Sequence, residues 1–139
     1  MTKKRMGRAD VHTAIVVAVS EELRAVLRMT RKKTRLRSAD HQIWMGQLAN
    51  RSVAVVRSGM GRQHAESAAR TMLEHIAPEH ALILGFCGGI SEWAGPSDLV
   101  LAEYVMDWPD FPGESDTDQP DRTLHPDPSM LEAARRVDV

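Results

Sequence analysis

The chain has 139 residues, enough for one domain with a sizeable core and little room for a second. Its 18 Lys and Arg nearly balance 19 Asp and Glu, so overall charge gives no argument for nucleic acid, a membrane surface or an acidic partner. The single cysteine, Cys87, cannot form an internal disulfide, no apolar run approaches a membrane span, and Met1–Arg8 lacks the apolar region and cleavage site of a signal peptide, so a reducing, cytoplasmic setting is the expectation.

Residues 1–12 read as a basic tail, with Lys3, Lys4, Arg5 and Arg8. Thr13-Ala-Ile-Val-Val-Ala-Val19 is a short, β-branched apolar run, the pattern of a strand covered on both faces. Ser20 then offers a helix cap, Glu21 and Glu22 sit where the helix dipole favours negative charge, and Leu23, Val26 and Leu27 take helical spacing. A basic stretch leads to Gln42–Leu48, turn residues Asn50 and Arg51, and Ser52–Arg57, which reads as a hairpin or two neighbouring strands.

After Gly61 the spacing of Ala65, Ala68, Ala69, Met72, Leu73, Ile76 and Ala77 predicts an amphipathic helix that Pro78 ends. Ala81-Leu-Ile-Leu-Gly85 predicts a second buried strand running into the glycine-rich turn Gly85–Gly89. Asp98–Met106 predicts a further strand. Residues 107–128 hold Pro109, Pro112, Pro120, Pro126 and Pro128 among acids and few apolar side chains, and predict a mobile loop; a helix begins at Pro128. Strands alternating with amphipathic helices imply an α/β domain over 13–139: a three-layer sandwich with a central, mostly parallel mixed sheet and helices on both faces.

Two glycine-bearing turns follow predicted strands. Ser58-Gly-Met-Gly61 opens a helix, where close backbone approach to a ligand is possible, but Arg62-Gln-His64 replaces the third glycine of a dinucleotide fingerprint. Gly85–Gly89 stands at another strand end, and ligands of open α/β sheets collect beside such ends. One of Glu21 and Glu22 is placed to enter the same crevice, where a carboxylate orients or deprotonates a water; dipole compensation at the helix start is the structural alternative. Cys87 has no identifiable base or cationic partner and reads as a small packed side chain. The six histidines show no metal-ligand spacing, so no metal is expected.

In this order, Ala18-Val-Ser-Glu-Glu22, Gly46-Gln-Leu48, Ser58-Gly-Met-Gly61 with its alanine-rich helix, Gly85–Gly89 and Ser97-Asp-Leu-Val-Leu101 resemble the nucleoside phosphorylase and nucleosidase superfamily. The likeness runs roughly from Ala14 to Met106 and is nearest the N-terminal half of the methylthioadenosine/adenosylhomocysteine nucleosidases. It implies cleavage of a nucleoside N-glycosidic bond through an oxocarbenium-like transition state, with water or phosphate attacking. By resemblance Glu22 is the catalytic residue that holds the water. Ala18, Val19, Met60, Gly61, Phe86, Cys87 and Gly88 are the substrate-binding set, Val19 and Met60 near the sugar and Phe86, Cys87 and Gly88 bordering sugar and base.

Phe86 departs from the serine common in nucleosidases, and the Gly/Arg phosphate loop of the phosphorylases is missing after the first strand, leaving Arg24, Arg57 and Arg62 as other cations. The resemblance implies no cofactor, with phosphate a co-substrate only in a phosphorylase, a small-molecule nucleoside as partner, and a homo-oligomer. The ribose-binding glutamate, base-stacking aromatic and proton-donating aspartate belong to a second half, so an incomplete domain with apolar edges is expected, inactive alone. A non-catalytic nucleoside-binding or oligomer-forming module is the alternative.

Overall fold

β-Branched residues set the centre of the sheet. Ala9–Val17 forms β1 and Arg51–Arg57 forms β4, and the run Val53-Ala-Val-Val56 is buried without a break because both faces of β4 are covered. The computed structural model describes residues 8–37, 41–92, 94–107 and 122–137. β1 begins four residues earlier than Thr13, taking Ala9–His12 from the expected tail, whose residues 1–7 lie outside the described set. α1 spans Ser20–Met29, β2 Arg31–Arg37, β3 Gln42–Leu48, α2 Arg62–His75 and β5 Ile76–Ile83.

The five strands stand in the order β2-β3-β4-β1-β5. β4 and β5 flank β1 in parallel, with Val17 opposite Arg57 and Val16 opposite Ile83, so these three strands end level with one another. β2, β3 and β4 are antiparallel, and the sheet is therefore mixed, its parallel part confined to β1 and its two neighbours β4 and β5, which run into the glycine turns. The β3–β4 turn places Ala49 and Asn50 at φ 48° and 62°, the left-handed pair that a two-residue hairpin with native twist demands.

One face buries Ala14, Ile43, Ala54 and Val56 with Ala68 and Met72 of α2, while Ile15, Val17 and Val55 on the other pack against Val26 of α1, flanked by Leu23 and Leu27. Each fully buried Val or Ile contributes about 1.5–3 kcal/mol of hydrophobic free energy. Helices thus cover both faces, as expected of the three-layer arrangement.

Four departures have physical causes. The basic stretch Arg31–Arg37 is a strand; it lies at the sheet edge, where charged side chains reach water, and its Arg35 stands over the Trp44 ring at 5.7 Å. α2 stops at His75, so Ile76 and Ala77 belong to β5, and the buried stripe of α2 narrows to Ala68, Thr71 and Met72. Pro78 sits inside β5 because an edge strand has one side that needs no N–H. Residues 81–90 are exposed, with Ile83 85% accessible, since among the described residues β5 pairs only with β1.

The second compact unit begins at Gly89. In place of the strand expected over 98–106, only Val105–Asp107 is extended (β6), pairing antiparallel with Arg122–Leu124 (β7). Leu99, Val100 and Leu101 are exposed, and among the described residues no neighbouring strand pairs with them. The predicted loop 107–128 therefore gives up its ends to β6, β7 and α3 (Pro128–Arg135); residues 108–121 lie outside the described set. Asp127 caps α3 by accepting from the N–H groups of Ser129 and Met130, with Pro128 at the first helical position, and Arg135 pairs with Glu103.

Candidate active site

Three turns meet at the level ends of β4, β1 and β5. The backbone carries β1 one residue further by a bond from Ser58 N–H to the Val17 carbonyl at 2.8 Å, and Gly59 N–H then reaches the Ala18 carbonyl at 3.1 Å. On the other flank Leu84 N–H donates to the Val16 carbonyl at 3.0 Å. Gly59 and Gly61 have φ of 90° and 95°, a left-handed backbone that glycine adopts without the Cβ clash, so the chain can fold back from β4 into α2.

Glu22 lies in the middle of this junction and is 7% exposed. Its Oε2 accepts from Ala18 N–H at 2.7 Å and Val19 N–H at 3.0 Å, and its Oε1 accepts from Phe86 N–H at 2.9 Å. Helix α1 is thereby capped from within: Ser20, the cap expected from sequence, is already helical, and Val19 at the cap position has no side-chain oxygen, so the third helical residue reaches back to its N–H instead. The Val19 N–H holds the Glu22 carboxyl below the ordinary value of 4.5; burial opposes this, and the Phe86 and Ala18 N–H groups reinforce it.

Gly85 makes the bond to Phe86 possible. A Cβ at that position would stand 2.8 Å from Glu22 Oε1, so the chain passes close only because no side chain is there. Glu21, the neighbouring acid, turns to solvent and pairs with Arg24 at 2.5 Å. Arg57, at the end of β4, donates to Ser20 Oγ at 2.8 Å. Arg24 and Arg57, both considered for a phosphate, are thus engaged locally.

The structure joins Ala18, Val19, Glu22 and Phe86 directly and brings the Ser58–Gly61 turn beside them through Ala18. The Met60 side chain is 74% and Phe86 75% exposed, so the crest around Glu22 is open rather than enclosed. Cys87 and Gly88 follow Phe86 in exposed chain, and a Cβ at Gly88 would meet no atom within 4 Å. Gly61 is also open on its Cβ side and serves as the cap of α2.

Three roles were not read from sequence. Ser58 is buried and donates through Oγ to the Gly59 carbonyl at 2.8 Å, stiffening the turn. Gly85 was seen as a turn former, not as the clearance for a carboxylate. His64 packs over Gly59, where an added Cβ would meet its ring at 3.4 Å; a histidine three residues into the helix after a Gly-x-Gly turn was the available signal.

The chain is a member of the phosphorylase superfamily, whose profile matches residues 12–137. The 5′-methylthioadenosine/S-adenosylhomocysteine nucleosidase of Aeromonas salmonicida is 28% identical over 91 residues, covering 66% of this chain and 40% of that protein. Among solved structures, the nucleosidase of the same name from Neisseria meningitidis, in complex with methylthio-immucillin-A, superposes with a TM-score of 0.77 at 19% identity, over 90% of this chain and 56% of that one. The one from Colwellia psychrerythraea, in complex with adenine, gives 0.80 at 17% identity, over 94% and 56%. The chain therefore has the fold of these nucleosidases and spans little more than half the length of the solved ones.

Proposed function

We propose that the crest formed by the ends of β4, β1 and β5 takes part in nucleosidase-type cleavage of an N-glycosidic bond, Glu22 holding the attacking water and a purine nucleoside being the substrate class. The observation that supports this best is the Glu22 carboxylate itself, buried yet held ionised by three backbone N–H groups. A carboxylate offers about four acceptor positions. Two on Oε2 and one on Oε1 are taken, which leaves one on Oε1 for a water O–H. A water bound in this way presents its own lone pair to an oxocarbenium-like sugar carbon, and the carboxylate is ready to take its proton.

Water suits this site better than phosphate, because an ionised carboxylate repels a phosphate dianion and Arg24 and Arg57 are engaged with Glu21 and Ser20. In this reading Ala18, Val19, Met60, Gly61, Phe86, Cys87 and Gly88 line the nucleoside, and Phe86 offers an apolar face without a hydroxyl for the sugar. Protonation of the leaving base needs an acid, and among the described residues gathered around Glu22 no second carboxyl is placed for it. We read this chain as the nucleophile side of the site. A cytoplasmic setting, which the exposed thiol of Cys87 suits, absence of a resident cofactor, and homo-oligomeric assembly belong to the same reading.

The test has two readouts. Methylthioadenosine titrated into the isotopically labelled chain is expected to shift the amide resonances of Ala18, Val19 and Phe86. Adenine release, followed by chromatography, is expected to be negligible for the chain alone, to appear when the C-terminal segment of a full-length nucleosidase is added, and to vanish with Glu22→Gln. Amide shifts without release in either arm would make the chain a non-catalytic nucleoside-binding module. Neither shifts nor release would refute the reading altogether.

A further inference from the structure

His12 of β1 and Glu79 and His80 of β5 come together although they are 67 and 68 positions apart in the chain, and their ligand-capable atoms all lie within 4.8 Å of one another. The two imidazole rings meet edge to face, with centroids 5.2 Å apart. Parallel strands normally send neighbouring positions to opposite faces. Here the paired positions run from Val11–Pro78 to Thr13–His80 without a His12–Glu79 pair between them, and Val11 and Ala14, three apart, belong to the same core cluster. The pairing lapses at His12 and Glu79 while the register on either side stays the same, and the lapse coincides with the meeting of the rings.

We propose that His12, Glu79 and His80 bind a divalent transition-metal ion, zinc being the best chemical match, and that the ion fastens the edge strand β5 to the central strand β1. Two imidazoles and one carboxylate form a borderline donor set that suits zinc and its first-row neighbours and not magnesium or calcium. Ligands about 2.1 Å from a shared tetrahedral ion stand about 3.4 Å apart. Rotation of the exposed Glu79 carboxylate and a small tilt of one ring close the remaining gap.

The histidine backbone is already held, by a bond from His12 N–H to Ser52 Oγ at 3.0 Å. The Thr13 hydroxyl lies 2.8 Å from His12 Nδ1 and engages that nitrogen, leaving the other ring nitrogen to the metal. Metal-binding histidines are characteristically oriented by such a partner on their second nitrogen. His12 and His80 are half-buried and Glu79 is exposed, so an ion can enter from solvent, and three protein ligands leave a fourth position open to water. Because the two strands hold their ligands together only when paired, the ion stabilises the folded chain.

Zinc titrated calorimetrically into the metal-free chain is expected to bind at one equivalent in the micromolar range or tighter, and cobalt in its place to give the visible absorption of a four- or five-coordinate site. His12→Ala and His80→Ala are each expected to weaken binding by about tenfold or more, Glu79→Gln by less, with far-ultraviolet circular dichroism unchanged. His41→Ala, which removes a histidine bonded to Ser67 elsewhere, is expected to leave zinc affinity as it was. The proposal is overturned if the wild-type chain takes up no stoichiometric zinc, or if His12→Ala and His80→Ala bind it as well as the wild type.

Discussion

Replacing Glu22 by glutamine keeps the shape of the side chain and turns one acceptor into a donor. Oε2 serves two N–H groups and Oε1 one, so the amide settles with its oxygen toward Ala18 and Val19 and its NH2 toward the Phe86 N–H, now donor against donor at 2.9 Å. A hydrogen bond to a charged acceptor contributes about 1.5–3 kcal/mol, and a buried donor left unpaired costs a similar amount. Phe86 is largely exposed, so water takes over part of its N–H, and the expected loss for Glu22→Gln is about 1–2 kcal/mol. Glu22→Ala orphans all three donors and is expected to cost about 2–4 kcal/mol. With a urea slope of about 2 kcal/mol per M, the middle of the usual range, midpoints move down by roughly half to one molar for Glu22→Gln and roughly one to two molar for Glu22→Ala.

The sign with pH follows from the depressed carboxyl. A group whose folded pKa lies below its unfolded value stabilises in full above the unfolded value, here the ordinary 4.5, and that stability is lost as pH falls through the folded value. Urea unfolding followed by circular dichroism at neutral pH and in steps into the acid range is the assay. The gap between wild type and Glu22→Gln is expected to be widest at neutral pH and to narrow on acidification. Equal midpoints at neutral pH, or a gap that does not change with acid, would refute the account of Glu22 as a charged latch.

Gly85→Ala places a Cβ 2.8 Å from Glu22 Oε1 and is expected to break the bond to Phe86, seen as faster hydrogen exchange at the Phe86 amide while Ala18 and Val19 stay protected. Gly61→Ala meets no steric obstacle but must hold φ 95° and ψ 159°, a region open almost only to glycine, so thermal denaturation should report a loss of about 1–3 kcal/mol. Ile76→Ala empties a fully buried position at the start of β5 and is expected to cost about 2–5 kcal/mol, whereas Ile83→Ala, in the same strand but 85% exposed, should shift the midpoint little; equal effects would contradict the core described above.

What could be read in the sequence depended on the range of the interaction. β4 was legible because a strand covered on both faces has to be apolar throughout, and the glycine turns were legible because their backbone leaves few other residues possible. β2 was not, since an edge strand of Arg and Lys has no apolar alternation to betray it. The junction at Ile76 misled because its apolar residues continue the helical spacing of α2 in phase, and Pro78 reads as a helix stop when it marks the free side of an edge. Glu22 was placed correctly at the helix start, where two of its bonds are local; the third, to a residue 64 positions away, leaves no trace in spacing. The same holds for His12 and His80, which only the β1–β5 pairing brings together.

In the proposed reading Glu22 answers to two demands, and they pull on the same atoms. The three N–H groups that latch α1, β1 and the segment after β5 also keep the carboxylate ionised, and the one acceptor position they leave is the one a water would use. A loss of cleavage with Glu22→Gln alone would not separate the latch from the chemistry. Gly85→Ala does, because it leaves the carboxylate and its bonds to Ala18 and Val19 in place while removing the grip on Phe86. If water is held at Oε1, freeing that oxygen from Phe86 lowers turnover in the reconstituted enzyme chiefly by misplacing the water, with kcat falling more than KM rises. If Glu22 is only a latch, Gly85→Ala and Glu22→Gln lower activity in proportion to the stability each removes, and a stabilising ligand or lower temperature restores both.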